Sequence, residues 1–123
     1  MFVDYEDYQK YGNNILSEDD AYNFLNKSER QINALCNNRI FDNSIKRYMD
    51  KSQEIIKQVI CEHAEFLYTK KDEIYNGKIK SYTNNGASIT YDSNLATRTI
   101  NGVFIRSDLY SELVQTGICY RGI

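Results

Sequence analysis

Three cysteines, one histidine and a few close acid pairs are the residues of this chain with the means to do chemistry. A metal or redox centre needs Cys or His ligands at close spacing. Cys36, Cys61 and Cys119 stand far apart, no CxxC pair occurs, and His63 has no second histidine to work with. Three thiols, an odd number, form no disulfide framework and point to a reducing compartment. Cys36 falls on an apolar helical stripe, which marks a packed structural thiol. His63 falls on an apolar face and reads as a core residue. Glu62 and Glu65 form an acid pair at helical spacing, but with no metal-ligand set beside them they read as a solvated helix face. Arg39, Lys46, Arg47 and Lys51 make a small basic patch that Asp42 and Asp50 dilute. The net charge of −2 does not suit a free-standing nucleic-acid binder. Catalysis, metals and cofactors are therefore not expected.

The elements that position these residues follow from length and pattern. A chain of 123 residues with 41% apolar content is expected to form a single domain around one modest core. Eleven tyrosines against five phenylalanines suit interfaces as well as half-wet cores. Formal charge runs from −3 over residues 1–50, through −1 over 51–75, to +2 over 76–123. Such complementary ends are compatible with head-to-tail contacts between copies. The opening MFVDYEDYQKYG lacks the basic and apolar regions of a signal peptide, and no apolar run approaches about 18 residues, so an intracellular protein without a membrane span is expected.

The stretch Lys51–Tyr75 organises the chain. Met49, Ser52, Ile56, Val59, Ile60, His63, Leu67 and Ile74 share one face at about 100° per residue, and Glu54, Gln58, Glu62, Glu65 and Asp72 share the other. The pattern predicts an amphipathic helix over 44–75 that packs on one side only, ended by Asn76-Gly77. Cys61, Ala64, Tyr68 and Tyr75 form a narrower strip that reads as core edge or as a subunit contact, the contact being favoured. Before this helix, residues 1–16 form an aromatic, acidic arm in which Tyr5, Tyr8 and Tyr11 line a short helical turn; it is expected to pack either on the core or, equally, on a neighbour. A helix over 17–37 opens on a Ser17 cap with acids in its first turn. After the long helix, 78–92 reads as a β-hairpin: Ile79–Thr83 and Ala87–Tyr91 around an Asn85-Gly86 turn. Residues 92–102 read as a loop with a brief extended piece at 103–105. Ser107 reads as the cap of a short helix over 107–116, followed by an apolar tail, 117–123, whose Ile118, Cys119, Tyr120 and Ile123 either return to the core or insert into a partner. The fold class is thus mainly α: a small helical bundle around one long central helix, with a β-hairpin, a short C-terminal helix and an extended tail.

Three stretches of the chain resemble the head–tail connector (adaptor) proteins of long-tailed bacteriophages and prophages. Leu113-Val114-Gln115-Thr116-Gly117-Ile118-Cys119-Tyr120-Arg121-Gly122-Ile123 resembles that family's ending, an apolar helix followed by Thr-Gly, two apolar residues, Tyr-Arg-Gly and an aliphatic. Cys61–Tyr68 resembles its central helix. The opening, from Tyr8–Gly12 through Ile15, Ser17–Asp20 and Phe24 to Asn38-Arg39-Ile40, is similar in order and spacing, so the likeness spans almost the whole chain. The loop 92–102 and Cys119, where a plain aliphatic is usual, depart from the pattern.

The resemblance implies a structural virion protein at the head–tail junction, with no catalysis. Its partners would be the portal protein, other copies of itself in a ring that is usually dodecameric, and the next joining or stopper protein. Genomic DNA would pass through the channel without sequence-specific binding. It further implies that Leu113, Thr116, Gly117, Ile118, Tyr120, Arg121 and Ile123 dock on the portal, and that Ile79, Tyr82, Ile89 and Tyr91 contact a neighbouring subunit or ring. Tyr68 and Tyr75, on the narrow strip, join that second set. On this reading a chain lacking 117–123 is expected to stay folded and to lose the portal. The alternative is a small helical binding or regulatory module that docks on another protein or on nucleic acid.

Overall fold

The computed structural model describes residues 2–70, 89–91 and 95–119. Among these, four helices and a small antiparallel sheet appear in the order α1 (Tyr5–Tyr11), α2 (Glu18–Leu35), a 3-10 turn (Ser44–Arg47), α3 (Asp50–Thr69), β1 (Ile89–Tyr91), β2 (Leu95–Ile100), β3 (Val103–Arg106) and α4 (Ser107–Gln115). The protein is mainly helical, built around the long helix α3, as its spacing predicts. No helix among the described residues is long and apolar enough to cross a membrane.

Local chemistry sets most helix ends. Asp4 caps α1 in a reciprocal capping box with Asp7. Ser17 caps α2 as expected, its Oγ accepting from Asp20 N at 3.3 Å, with three acids following in the first turn. Asn37, Asn38 and Asn43 all adopt left-handed φ, which Asn tolerates better than most residues, and so turn the chain from α2 back towards α3. That turn interrupts the expected 44–75 helix at its start. Residues 44–47 are 3-10, Met49 is the N-cap of α3 and 73% exposed rather than on the core face, and α3 ends at Thr69 with Lys70 as its cap. Residues 71–75, including Tyr75, lie outside the described residues.

Helix α3 does not pack on one side only. Its second half, Val59–Leu67, is buried at every position except Glu62, because α1 and α2 cover one side while α4 covers another. The Cys61–Ala64 strip expected to meet another subunit is internal: both residues belong to the core, and Tyr68 meets Phe24 edge-on at 5.4 Å. Ser28 Oγ donates to Ile60 O at 2.7 Å where α2 and α3 pack.

Glu65, expected in solvent, is 5% exposed. The arm supplies its partners. Tyr8 Oη donates to Glu65 Oε2 at 2.7 Å, Asn13 N to the same oxygen at 2.7 Å, and Asn13 Nδ2 to Oε1 at 2.8 Å. Tyr8 Oη in turn accepts from Ile15 N and Leu16 N at 2.8 and 2.9 Å. Val3 N donates to Glu29 Oε1 of α2 at 2.9 Å. The arm is therefore part of this chain's own core.

The sheet differs from the expected hairpin. Residues 92–102, read as a loop, contain β2, which pairs antiparallel with both β1 and β3. Ile100 pairs with Val103 across Asn101-Gly102, whose φ values of 51° and 82° belong to a two-residue primed turn. Thr97 and Thr99 suit a strand, and Val103 and Ile105 are buried in alternation with Phe104 and Arg106. The Asn-Gly pair that demonstrably turns a hairpin is thus the second one; Asn85-Gly86 and the strand Ile79–Thr83, with Ile79 and Tyr82, lie outside the described residues. Strand β3 runs directly into α4, so its N-cap is Arg106 rather than Ser107.

His63 is buried in the core as expected. Its Nε2 lies 2.6 Å from Gln31 Oε1, which makes Nε2 the protonated nitrogen because an amide oxygen only accepts. Burial, aided by the nearby Arg106 charge, pushes its pKa down to about 3. The unfolded chain then binds a proton near pH 6.5 that the folded chain refuses, so stability falls with pH from about 6.5 towards 3. Urea melts are expected to show wild type losing about 2 kcal/mol more than His63→Gln between pH 7 and pH 5; equal losses would contradict this. Tyr8→Phe should cost about 3 kcal/mol at neutral pH, because it strands two backbone N–H groups and deprives Glu65 of a donor. Burial, then the Glu65 bond, raise the Tyr8 pKa to about 12, so the stability that Tyr8 contributes is present below pH 10 and lost as pH rises through 12. Melts of both proteins across that window check the sign.

Candidate docking surface

Helix α4 ends in a built exit. Thr116 Oγ1 donates to Leu113 O at 2.6 Å, Gly117 N donates to Val114 O at 3.0 Å, and Ile118 N donates to Thr116 Oγ1 at 3.3 Å. Gly117, with φ of 82°, turns the chain back across the helix end. Ile118 drops into the core and is 0% exposed, as is Leu113 one turn earlier. The next two carbonyls are gripped from the α2–α3 connector. Arg39 Nη1 donates to Ile118 O at 2.7 Å, and Asn37 Nδ2 donates to Cys119 O at 3.3 Å. Arg39 also reaches Tyr48 Oη at 3.4 Å, while Gln53 Nε2 holds Tyr48 O at 2.8 Å.

The expected docking set divides here. Leu113 and Ile118 do not present their side chains to a partner in this structure, because both fill the chain's own core. Thr116 is half-buried and spends its hydroxyl on the turn, and Gly117 is exposed. Tyr120, Arg121 and Ile123 lie outside the described residues. In the expected contact set, Ile89 and Tyr91 are the ends of β1 and pair with Thr97 and Leu95, so their backbone is engaged within the sheet. Tyr68 is half-buried against Phe24.

Sequence reasoning missed the grip on the tail. Arg39 reads as part of a surface basic patch, but its guanidinium is turned to the Ile118 carbonyl. The signal available was its place directly after two asparagines at a helix end, where a long donor can reach carbonyls of another segment. A second cation, Arg106, is also committed. It forms a two-point contact with Asp108, at 3.0 Å from Nε and 2.5 Å from Nη2, and lies 3.9 Å from Glu62. Arg106 holds the Asp108 carboxyl below the usual carboxylate range, while burial pushes Glu62 up against the pull of Arg106. The half-buried Glu62 is thus a structural partner of the β3–α4 junction.

Two open grooves flank α2. One, of about 480 Å³, is lined by Phe2, Glu29, Phe41, Lys46 and Lys57 among others. The second, of about 490 Å³, lies among Asp4, Tyr5, Glu18, Asp19 and Tyr22, the last 65% exposed. Among the described residues no group of three His, Cys, Asp or Glu side chains is placed to hold a metal ion. A scan against protein-family models finds no match, and searches of curated proteins and of solved structures find no matching chain.

Replacing Arg39 by Ala is expected to destabilise the protein by about 2 kcal/mol, through loss of a charge-assisted bond to a partly buried carbonyl. Hydrogen exchange should speed up at Gly117 and Ile118 before it does so in α3. Unchanged exchange at those two amides would show that the Arg39 contact does not hold the tail.

Proposed function

We propose that this chain is a head–tail connector subunit of a long-tailed phage or prophage: a structural protein that assembles as a ring beneath the portal, extends the DNA channel and joins capsid to tail. The observation that carries the reading is the residue pattern from Leu113 to Ile123, which resembles the connector family's ending. The geometry around that pattern supports it. Leu113 and Ile118 root the segment in the core, Arg39 and Asn37 grip its carbonyls, and the Tyr-Arg-Gly-Ile sequence follows directly after the grip. In this reading Tyr120, Arg121 and Ile123 make the portal contact, with an aromatic and an Arg as its natural anchors, and Leu113 and Ile118 act as the root behind it.

The ring also needs contacts between copies. The N-terminal end of α2 carries acids and the exposed Tyr22. The connector beyond its C-terminal end carries Lys46, Arg47 and the exposed Phe41. Acids on the first turn of α2 and basic residues on the connector, with Asp42 among them, are compatible with a head-to-tail contact between copies. A mildly acidic protein also suits a DNA conduit, since a strongly basic wall would hold the phosphates.

Co-sedimentation with assembled portal rings, followed by negative-stain electron microscopy, tests the reading. The whole chain is expected to add a ring of density beneath the portal. A variant lacking Tyr120–Ile123 should keep the wild-type melting curve and lose the added ring. One lacking Gly117–Ile123 should melt at a lower temperature, because it also removes Ile118 from the core. Absence of added density from the whole chain on intact portals would replace this reading with that of a small helical binding module.

A further inference from the structure

Two thiols meet where the tail leaves the fold. Cys36 is the C-cap residue of α2 and is fully buried; Cys119 is half-buried at the last described position. Cys119 packs against the core cluster that contains Cys36, and the two thiols shift each other's ionisation in opposite directions. Backbone contacts fix the same neighbourhood independently, since Asn37, next to Cys36, donates to Cys119 O and Arg39 donates to Ile118 O.

The two sulfurs are unequal. The neighbouring Cys36 thiol and the positive charge of Arg39 bring the Cys119 thiol below its ordinary value, against the effect of burial. The neighbouring Cys119, with burial, pushes the Cys36 thiol up. Cys119 is therefore the accessible nucleophile and Cys36 the buried resolving thiol, the division of labour that thiol–disulfide exchange requires. Cys61 lies elsewhere in the core, its thiol pushed up to about 12 by burial and by the acids Asp7, Glu65 and Glu62.

We propose that Cys36 and Cys119 form a dithiol site that exchanges with a low-molecular-weight disulfide and closes a bond fixing the tail to the end of α2. With oxidised glutathione as the oxidant, the Cys119 thiolate attacks one glutathione sulfur. A mixed disulfide forms and the first glutathione leaves as its thiolate, which takes up a proton from solvent. Loss of the Cys119 charge leaves Arg39 facing Cys36 alone and favours its ionisation. Cys36 gives its proton to solvent, and its thiolate attacks Cys119 Sγ and expels the second glutathione. Two protein thiols are oxidised to one disulfide, and one glutathione disulfide is reduced to two thiols. The site stands on the burial of the two cysteines and on the contacts that hold residues 118 and 119 against the end of α2, and it does not depend on the portal reading.

The test uses the full chain, reduced, folded and then incubated with excess oxidised glutathione at pH 8. After an acid quench the intact mass is measured and the peptides are mapped. Wild type is expected to lose the mass of two hydrogens and to yield one linked peptide joining Cys36 to Cys119. Cys36→Ala should stop at a single glutathione adduct on Cys119, Cys119→Ser should form no adduct at Cys36, and Cys61→Ser should behave as wild type. The oxidised protein should exchange Gly117 and Ile118 amides more slowly, and dithiothreitol should reverse this. An unchanged wild-type mass, a lasting glutathione adduct without ring closure, or a link that includes Cys61 would each overturn the proposal. The wild-type map decides the matter even where Cys36→Ala fails to fold.

Discussion

A carboxylate buried in a helical bundle is the constraint on which this structure turns. Glu65 sits on the central helix with almost no contact to solvent, and an unpartnered charge there would cost several kcal/mol. Three donors from the N-terminal arm satisfy it, one from Tyr8 and two from Asn13. Meeting that demand places α1 against α3 and brings the Asn13–Leu16 turn close. It also delivers the chain to Ser17, where α2 begins. The aromatic arm, which composition alone would equally assign to a neighbour, is committed to its own fold by one acid.

Much of the architecture was legible in the sequence, and the exceptions share a cause. The spacing in α2 and α3, the Ser17 cap, the packed Cys36 and the core His63 are local or periodic signals, and these survive folding unchanged. Glu65 was not legible, because a hydrophobic pattern treats every carboxylate as solvated and its partner Tyr8 lies 57 positions away. Strand β2 was hidden for the opposite reason. Its residues are polar enough to pass for a loop, and only pairing with two neighbours makes them a strand. Ser107 has the chemistry of a cap but lies one position inside the helix, because β3 passes into α4 without a connector. Arg39 announces its charge in the sequence but not its direction.

The candidate site was legible as a motif and not as a geometry. The ending draws attention by its apolar and aromatic content, yet pattern alone does not divide residues that hold the segment from those that reach outward. Burial makes that division. Leu113 and Ile118 stabilise the turn, and the charge of Arg39 serves the carbonyls of the same turn. A segment rooted in this way starts from a fixed origin, which lowers the ordering entropy that a free tail would lose on meeting a partner.

The direct passage of β3 into α4 has a mechanical consequence. With no intervening residue, and with Arg106 clamped between Asp108 and Glu62, the strand and the helix have no joint at which to bend independently. The hairpin tip at Asn101-Gly102 and the exit at Gly117 are then the two ends of one continuous strand–helix unit whose helix packs on α3. A displacement of one end would therefore be shared with the other, with no hinge residue between them to absorb it.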